Sequence, residues 1–499
     1  MGKGRVIFLK NAMLLTATSL LLRFVGMIFR VWLATAVGAE GMGLYQQIFS
    51  VYALVSVFAS SGVGLAVTRL ISEELTLGCR RGVSMIIGRS VTLTVGVALL
   101  SSALVYIGAK PIAVYIMSDE RAAVSLKLMC LSLPFMGVSA VLKGYFFARK
   151  KAFPGSSSQI LEQTVRIVFI LTAFKGGISG VEDGCATVLF GDAVAELSSA
   201  LYLFVFYLFD RKKTAALRGR ERPPYKISRE LLRIVCPIAG GRYLNSLLRT
   251  IENILVPRGF IKFGLSREAA LSSFGMIKGM ALPLLLFPAG LLSSVTSLLV
   301  PEMSEAAAAG QRGRIRYAAE RSITITFLSS IPFAVLFFFA ADPLSRLIYA
   351  ENGVGETVRA LAPLVPLMYI DSVSDALLKA LDKQMITFRH TILDSLGRIA
   401  TVLAFLPFFG MTGFIVIMYG SNLFTSLLNL GSLIKATGAK IKMVESIILP
   451  LLAALIGGLL SSLILSYTNA SGVVYIMFVA LGIAALYLPA FRSAARSLR

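Results

Sequence analysis

The sequence has few charged residues, few cysteines and almost no histidine. Charged side chains make up 15% of its 499 residues, whereas a soluble domain typically carries roughly 25%. Its four cysteines are scattered, and its single histidine, His390, is expected in a loop near a helix end. The phosphate-binding motif of nucleotide hydrolases and the H-E-x-x-H motif of metalloproteases are both missing from the sequence. We therefore expect no metal site, no cofactor and no enzymatic activity.

Long apolar segments dominate the chain. The stretch from Met42 to Leu70, for example, contains no charged residue before Arg69. Because about 20 apolar residues cross the hydrocarbon core of a bilayer, the sequence predicts an all-α integral membrane protein with about fourteen transmembrane helices. The predicted spans are residues 9–37, 44–70, 85–107, 124–147, 158–178, 186–209, 230–257, 270–300, 321–341, 357–381, 387–409, 411–434, 445–466 and 472–491.

The net charge of +23 is distributed unevenly among the loops. Lysine and arginine concentrate at both termini and in the even-numbered loops, as at 149–151 and 211–229, although Arg258, Lys262 and Arg267 are an exception. Cytoplasmic loops of membrane proteins carry such an excess. The pattern predicts that both termini are cytoplasmic, and it argues against a nucleic-acid partner.

An internal repeat relates the two halves of the chain. Four motifs of the first half recur 232 residues later in the second half. They are Arg89-Ser90 (matched by Arg321-Ser322), Ala109-Lys110-Pro111 (Ala341-Asp342-Pro343), Ile160-Leu161-Glu162 (Ile392-Leu393-Asp394) and Arg166 (Arg398). Such repeats are typical of transporters. We predict two pseudo-symmetric six-helix bundles, at 1–210 and 230–436. A basic cytoplasmic linker at 211–229 joins them, and 437–499 adds two further helices.

Polar residues form a stripe on the first helix of each half. Arg23 and Arg30 are seven residues apart in the first span, as are Arg242 and Arg249 in the seventh. Asn245 and Glu252 extend the second stripe. An arginine at the centre of a membrane helix costs about 2.5 kcal/mol or more, and its planar fork suits phosphate oxygens. The stripes predict an anion-binding cavity. The alternative is that the arginine side chains extend to the membrane surface or form structural ion pairs, such as Arg249 with Glu252.

Two pairs of carboxylates mark other helices. Asp192 and Glu196 are four residues apart in the sixth span, and Asp371 and Asp375 have the same spacing in the tenth. Each pair lies on one helix face. These residues are candidates for binding a coupling cation, and the alternative that we favour is structural pairing, for instance with Lys379 or Arg398.

The motifs on several helices resemble one known family. The segment from Arg249 to Arg258 resembles the seventh-helix signature of the stage V sporulation protein B group. The first helix with its arginines, the motif Gly43-Leu44-Tyr45-Gln46 and the segment from Lys143 to Lys151 resemble the same group. That group belongs to the polysaccharide-biosynthesis flippases of the multidrug/oligosaccharidyl-lipid/polysaccharide exporter superfamily. The resemblance implies two bundles, a central cavity and alternating access in a bacterial cytoplasmic membrane.

The same resemblance implies the cargo. It would be an undecaprenyl-diphosphate-linked sugar, such as a lipid II-like peptidoglycan precursor or a polysaccharide repeat unit, used in sporulation or wall synthesis. Its diphosphate would bind the cavity arginines Arg23, Arg30, Arg242 and Arg249. Membrane lipids and a cation gradient or membrane potential are the other expected partners. A cation-coupled multidrug exporter is a weaker alternative because the arginines would repel cationic drugs. A membrane glycosyltransferase would need a large catalytic loop, which the spacing of the spans does not provide, and a non-transporting scaffold for cell-wall assembly remains open.

The topology makes the first testable prediction. In a variant without native cysteines, a membrane-impermeant maleimide should label Thr468→Cys in intact cells, because the thirteenth loop is predicted to be external. It should label Thr214→Cys only after permeabilisation. Labelling of Thr214→Cys from outside intact cells would contradict the predicted orientation.

Overall fold

The computed structural model describes residues 3–77, 80–178, 180–215, 227–349, 351, 353–468 and 472–496, in which every regular element is helical. The α-helices are α1 (Lys3–Ser60), α2 (Val63–Thr76), α3 (Arg80–Pro111), α4 (Ala122–Met129), α5 (Ser132–Ala148), α6 (Ala152–Lys175), α7 (Val181–Ala215), α8 (Ile227–Phe263), α9 (Arg267–Phe274), α10 (Leu282–Leu286), α11 (Ala289–Ala308), α12 (Arg312–Phe339), α13 (Ala341–Tyr349), α14 (Val354–Leu361), α15 (Val365–Ala380), α16 (Gln384–Thr437), α17 (Leu449–Thr468) and α18 (Gly472–Arg496). Helices suit a bilayer because they satisfy their backbone hydrogen bonds internally.

The helices account for the predicted membrane spans. Ten described segments are long and apolar enough to cross a membrane, and two of them, Met13–Thr76 and Gln384–Thr437, are 64 and 54 residues long. Since about 20 residues suffice for one crossing, each of these two provides two spans. Helices α6 and α8 have 24 and 37 residues, enough to cross as well. Every one of the fourteen predicted spans therefore coincides with helical structure.

Glycines interrupt the two longest helices. Gly38 in α1 and Gly410 in α16 have positive φ angles of 70° and 53° and are not helical. Only glycine adopts such angles readily. The break at Gly410 agrees with the predicted boundary between the eleventh and twelfth spans. The predicted spans leave residues 38–43 between the first two helices, but only Gly38 is non-helical there, and Gly41 and Gly43 belong to α1.

Close packing explains why Gly43 is a glycine. A Cβ atom at Gly43 would lie 2.0 Å from the carbonyl oxygen of Leu271 in α9, and a Cβ atom at Gly275 would lie 1.9 Å from that of Ala39. The backbones approach this closely only because both positions lack side chains, as is common where small residues pack membrane helices together. The contact fixes the start of the second part of α1 against α9.

The chain divides into two compact units. The first unit contains residues 1–29 and 44–254, and the second contains residues 30–43 and 255–499. The units depart from the predicted bundles at two segments, because 30–43 packs with the second unit and 230–254 with the first. The contact of Gly43 with α9 accounts for the first exchange. Residues 216–226 of the predicted linker lie outside the described ranges.

The predicted repeat is visible in the helix boundaries. Helices α3 and α12 begin 232 residues apart, as do α6 and α16, while α4 and α14 correspond over their whole lengths at that separation. The i,i+4 ion pair between Arg166 and Glu162 also recurs between Arg398 and Asp394. The two halves therefore share one helical pattern, which is followed by α17 and α18.

A strained turn occurs at the same place in both halves. Lys150 follows α5 with φ at 57°, and Asp382 follows α15 with φ at 58°. The next residue in each turn, Lys151 or Lys383, donates its backbone N–H to a carbonyl five residues earlier, as in a Schellman motif. Glycine usually occupies this left-handed position, because a side chain there costs about 1–2 kcal/mol.

The contact between α1 and α9 makes the second prediction. Gly43→Ala should destabilise the protein by about 1–3 kcal/mol, because the added methyl group cannot fit without moving two helices apart. Gly26→Ala is the matched control, since Gly26 lies in the same helix with no neighbour within 4 Å of the added Cβ. Thermal unfolding in detergent would measure both variants. Equal melting temperatures for the two would refute the packing argument.

Candidate functional site

The polar stripe of the seventh span lies on α8, which is unbroken from Ile227 to Phe263. At 3.6 residues per turn, Arg242, Asn245, Arg249 and Glu252 fall within an arc of about 80°. The two arginines are exposed, Asn245 is half-buried and Glu252 is buried. Neither Arg242 nor Arg249 makes a hydrogen bond or ion pair with a residue in the described part of the chain. The stripe therefore presents two cationic groups that none of the described residues neutralises.

The neighbouring face of α8 holds the stripe in place within the first unit. Tyr243 packs on Phe58 of α1 with ring centroids 4.6 Å apart. About two turns further along α8, the Thr250 hydroxyl donates to the carbonyl of Ser50 at 2.9 Å. Both contacts lie about 100° around the helix from the arginines. Packing against α1 thus fixes the direction in which Arg242 and Arg249 point.

The arginines of the first span separate between the units. Arg23 is exposed and belongs to the first unit, together with the α8 stripe, whereas the half-buried Arg30 belongs to the second. Arg30 lies near Tyr349, whose hydroxyl donates to the carbonyl of Met280 at 3.0 Å. Burial raises the pKa of Tyr349 to about 12, and Arg30 opposes that rise. A single cavity shared by all four arginines stays a prediction.

A buried cluster of charges surrounds the first carboxylate pair. Arg166 Nε lies 2.5 Å from Asp192 Oδ1, and Arg166 also pairs with Glu162 at 3.3 Å. Lys143 Nζ is 3.6 Å from the same glutamate. Glu196 is 7% exposed and forms no hydrogen bond or ion pair with the residues that the structure describes. Asp192 is therefore structurally paired, while Glu196 leaves the cluster with one more carboxylate than it has cations.

The second carboxylate pair is held by different partners. Asp371 accepts a hydrogen bond from Asn429 Nδ2 at 2.7 Å, and Asp375 pairs with Lys379 at 2.6 Å. The pairing predicted for Lys379 is therefore present. Arg398, the other expected partner, lies 2.5 Å from Asp394, one turn away on the same helix.

His390 belongs to this second cluster. The residue lies inside α16 and not in a loop, which corrects the sequence-based expectation. Its Nδ1 atom is 2.7 Å from Asn429 Oδ1. The imidazole therefore orients the amide that binds Asp371. Among the described residues no group of three or more His, Cys, Asp or Glu side chains is placed to hold a metal ion.

The sequence did not indicate that Arg166, Glu162 and Lys143 form one site with Asp192 and Glu196. In the sequence Arg166 and Glu162 stand out only as markers of the repeat, because nothing there shows that α6 and α7 lie side by side. The repeat was nevertheless the useful signal. An arginine four residues after a carboxylate, in both halves and inside a predicted span, is costly enough to require a structural or functional reason.

The two arms of α16 enclose a groove in the second unit. Ser421 donates to Asp394 at 2.5 Å across the hairpin, which turns at Gly410. The groove has a volume of about 620 Å³, and its wall includes the exposed aromatic residues Phe405 and Phe409. This aromatic part of the lining suits a hydrocarbon ligand better than a charged one. Asp394 and Arg398 form the charged part of the wall.

Comparison with curated proteins identifies relatives along most of the chain. Stage V sporulation protein B of Bacillus subtilis (strain 168) is 27% identical over 469 residues, which cover 93% of this chain and 90% of that protein. The lipid II flippase MurJ of the same organism is 20% identical over 403 residues, with 75% and 73% coverage.

Solved structures share the fold. The lipid II flippase MurJ in an inward closed conformation matches with a TM-score of 0.71 and 16% identity, covering 97% of this chain and 99% of that one. An inward-facing multidrug resistance MATE family transporter of the MOP superfamily matches with a TM-score of 0.62 and 15% identity, covering 84% and 99%. At these identities the matches show the MurJ/MATE-like transporter fold.

Family models give the assignment. The model of the polysaccharide biosynthesis proteins matches residues 8–307, and the MatE model matches residues 260–406. Because the first match spans more than half of the sequence, this chain belongs to the polysaccharide biosynthesis protein family.

Proposed function

We propose that this protein is a flippase that moves an undecaprenyl-diphosphate-linked sugar across the bacterial cytoplasmic membrane by alternating access. The observation that carries the proposal is the pair of exposed arginines, Arg242 and Arg249, on one face of a membrane helix with no ion-pair partner among the described residues. The relatives named as a lipid II flippase and a sporulation protein support a lipid-linked wall precursor as the cargo. The protein is then a transporter and not an enzyme.

The chemistry of the arginines suits a diphosphate. Each guanidinium donates two parallel hydrogen bonds to paired oxygens, and it remains protonated in any protein environment. A diphosphate that crossed hydrocarbon without partners would lose its hydration at a prohibitive cost. Arg23, Arg242 and Arg249 of the first unit would replace part of that hydration.

The transport cycle follows from the predicted orientation. With both termini in the cytoplasm, the head group would enter from the cytoplasmic leaflet while the polyprenyl chain stays in lipid. Rocking of one bundle against the other would then expose the head group outside, as in transporters built from repeats. Binding must remain moderate, because a tightly held anion would be released slowly.

Glu196 provides a site for energy coupling. The buried cluster contains Lys143 and Arg166 but three carboxylates, so one negative charge is uncompensated when all are ionised. A proton or a monovalent cation would restore neutrality there. Asp371 and Asp375 fit this role less well, because Asn429 and Lys379 already bind them. The similarity to MATE transporters also favours cation coupling.

A cation-coupled multidrug exporter is the second candidate. It would use the same Glu196 cluster and the same fold, and the MatE match supports it. Arg242 and Arg249, which have no ion-pair partner in the part of the chain that the structure describes, count against it, since they would repel cationic drugs. A scaffold without transport activity would leave these two costly cations in the membrane with no role.

The arginine stripe makes the third prediction. An Arg23→Ala, Arg249→Ala variant should still reach the membrane but lose transport at least about tenfold, because hydrogen bonds to charged groups contribute about 1.5–3 kcal/mol each. The corresponding double Lys variant should recover part of the activity, since it keeps the charge but loses the bidentate fork. Flipping of a lipid-linked sugar in proteoliposomes would measure both.

Arg233→Ala is the matched control for the stripe. Arg233 is an exposed residue of α8 on the face opposite Arg242, and it pairs with Glu230 at 3.9 Å. This variant should transport at the wild-type rate. Wild-type flipping by the double Ala variant would show that the arginines are structural and that the proposed site is wrong.

The carboxylate cluster makes the fourth prediction. Glu196→Gln removes the uncompensated charge without changing the shape of the side chain, so transport driven by an imposed proton or cation gradient should be lost. Exchange of substrate without a gradient should persist. Asp183→Asn, at the exposed start of the same helix, should leave both activities unchanged. Gradient-driven transport by Glu196→Gln at the wild-type rate would rule out coupling at this residue.

A further inference from the structure

A pocket with a polar rim lies in the first unit, apart from the arginine stripe. The beginning of α1, the turn between α5 and α6 and the end of α7 enclose a cavity of about 920 Å³. Its apolar wall includes Met13, Leu14, Phe146, Phe153, Phe206 and Phe209. Its polar rim consists of Asn11, Lys150, Lys151 and Asp210. The cavity therefore joins a long hydrophobic wall to a compact charged rim, as an amphiphile requires.

Positive charge is in excess at the rim. Asp210 lies 2.5 Å from Lys151 Nζ and also accepts a hydrogen bond from Tyr145 at 2.8 Å. Arg149 contacts the same carboxylate at 2.9 Å from outside the cavity lining. Lys150 is exposed, and its ammonium group has no hydrogen bond or ion pair with any residue in the described ranges. One lysine of the rim is thus left for a ligand.

The backbone holds Lys150 at the rim despite the strain. Its φ angle of 57° is a conformation in which glycine is the usual residue. The Asn11 side-chain amide donates to the Lys150 carbonyl at 2.7 Å and so fixes the turn against α1. The equivalent turn of the second half has the same geometry but carries Asp382. A lysine at this position is therefore a property of the first half alone, and strain of this kind often marks a functional position.

We propose that this pocket binds an anionic glycerophospholipid. Its phosphodiester, which carries one negative charge, would contact Lys150 and Lys151, and one acyl chain would lie along the wall that includes Phe153 and Phe209. A zwitterionic lipid would bring its own cation next to two lysines. All three helix segments lie at the end predicted to be cytoplasmic, where basic residues meet anionic lipids.

The bound lipid would connect three helices of the first unit. Because its phosphate would bridge the α5–α6 turn while its acyl chain contacts the beginning of α1 and the end of α7, occupancy should stabilise the folded protein. A ligand that binds only the folded state stabilises it by an amount that grows with the logarithm of its concentration relative to its Kd, and the unfolding temperature rises accordingly. The lipid would act as a structural ligand, separate from the transported substrate.

Lys150→Gly tests the proposal without endangering folding. Glycine suits the left-handed backbone, so this variant should fold at least as well as the wild type while lacking the ammonium group. Phosphatidylglycerol added to purified protein in mild detergent should raise the melting temperature of the wild type more than phosphatidylcholine does. In Lys150→Gly the affinity for phosphatidylglycerol, followed by native mass spectrometry, should fall about tenfold.

Asp382→Gly and Lys383→Gln are the matched controls. The first relieves the same backbone strain in the second half, and the second removes a lysine from the equivalent turn, so both should keep the response to phosphatidylglycerol. The proposal fails if Lys150→Gly responds like the wild type, or if phosphatidylcholine stabilises the wild type equally. Greater protection by undecaprenyl monophosphate than by phosphatidylglycerol would also overturn it, since the occupant would then be a carrier lipid.

Discussion

Charged side chains inside a bilayer need either a partner or water, and the internal structure of both units depends on this constraint. In the first unit Arg166 lies between Glu162 and Asp192, and in the second Arg398 pairs with Asp394 and Ser421 donates to the same carboxylate. These pairs connect α6 to α7 and the two arms of α16. Against this background Arg242 and Arg249 on α8 are exceptions, because neither has an ion-pair partner within the described ranges, and they therefore carry the functional proposal.

The two halves use one helical pattern for different chemistry. The ion pair of Arg166 with Glu162 recurs as Arg398 with Asp394, but the surroundings differ. The first half adds Asp192 and the uncompensated Glu196, whereas the second half adds Asn429 and His390, which are linked by a hydrogen bond. Because the two halves share a backbone pattern but carry different polar residues, ion binding can be confined to one of them.

The same divergence appears at the turn that follows α5 and α15. Its geometry is conserved between the halves down to the positive φ angle, although Lys150 occupies it in one half and Asp382 in the other. Neither residue favours that conformation. The hydrogen bonds of the turn, together with the packing of the helices on either side, therefore determine the backbone, and the side chain is free to serve another purpose.

The sequence by itself determined the membrane class, the fourteen spans and the repeat, because apolar length and motif spacing are local properties that survive without tertiary contacts. It also located Arg23, Arg30, Arg242 and Arg249, since an arginine in an apolar run is conspicuous. The break at Gly38, the grouping of residues 30–43 with the second unit and the pairing of Asp192 with Arg166 were decided by the tertiary structure. These features depend on which helices touch, and hydropathy and spacing do not encode that choice.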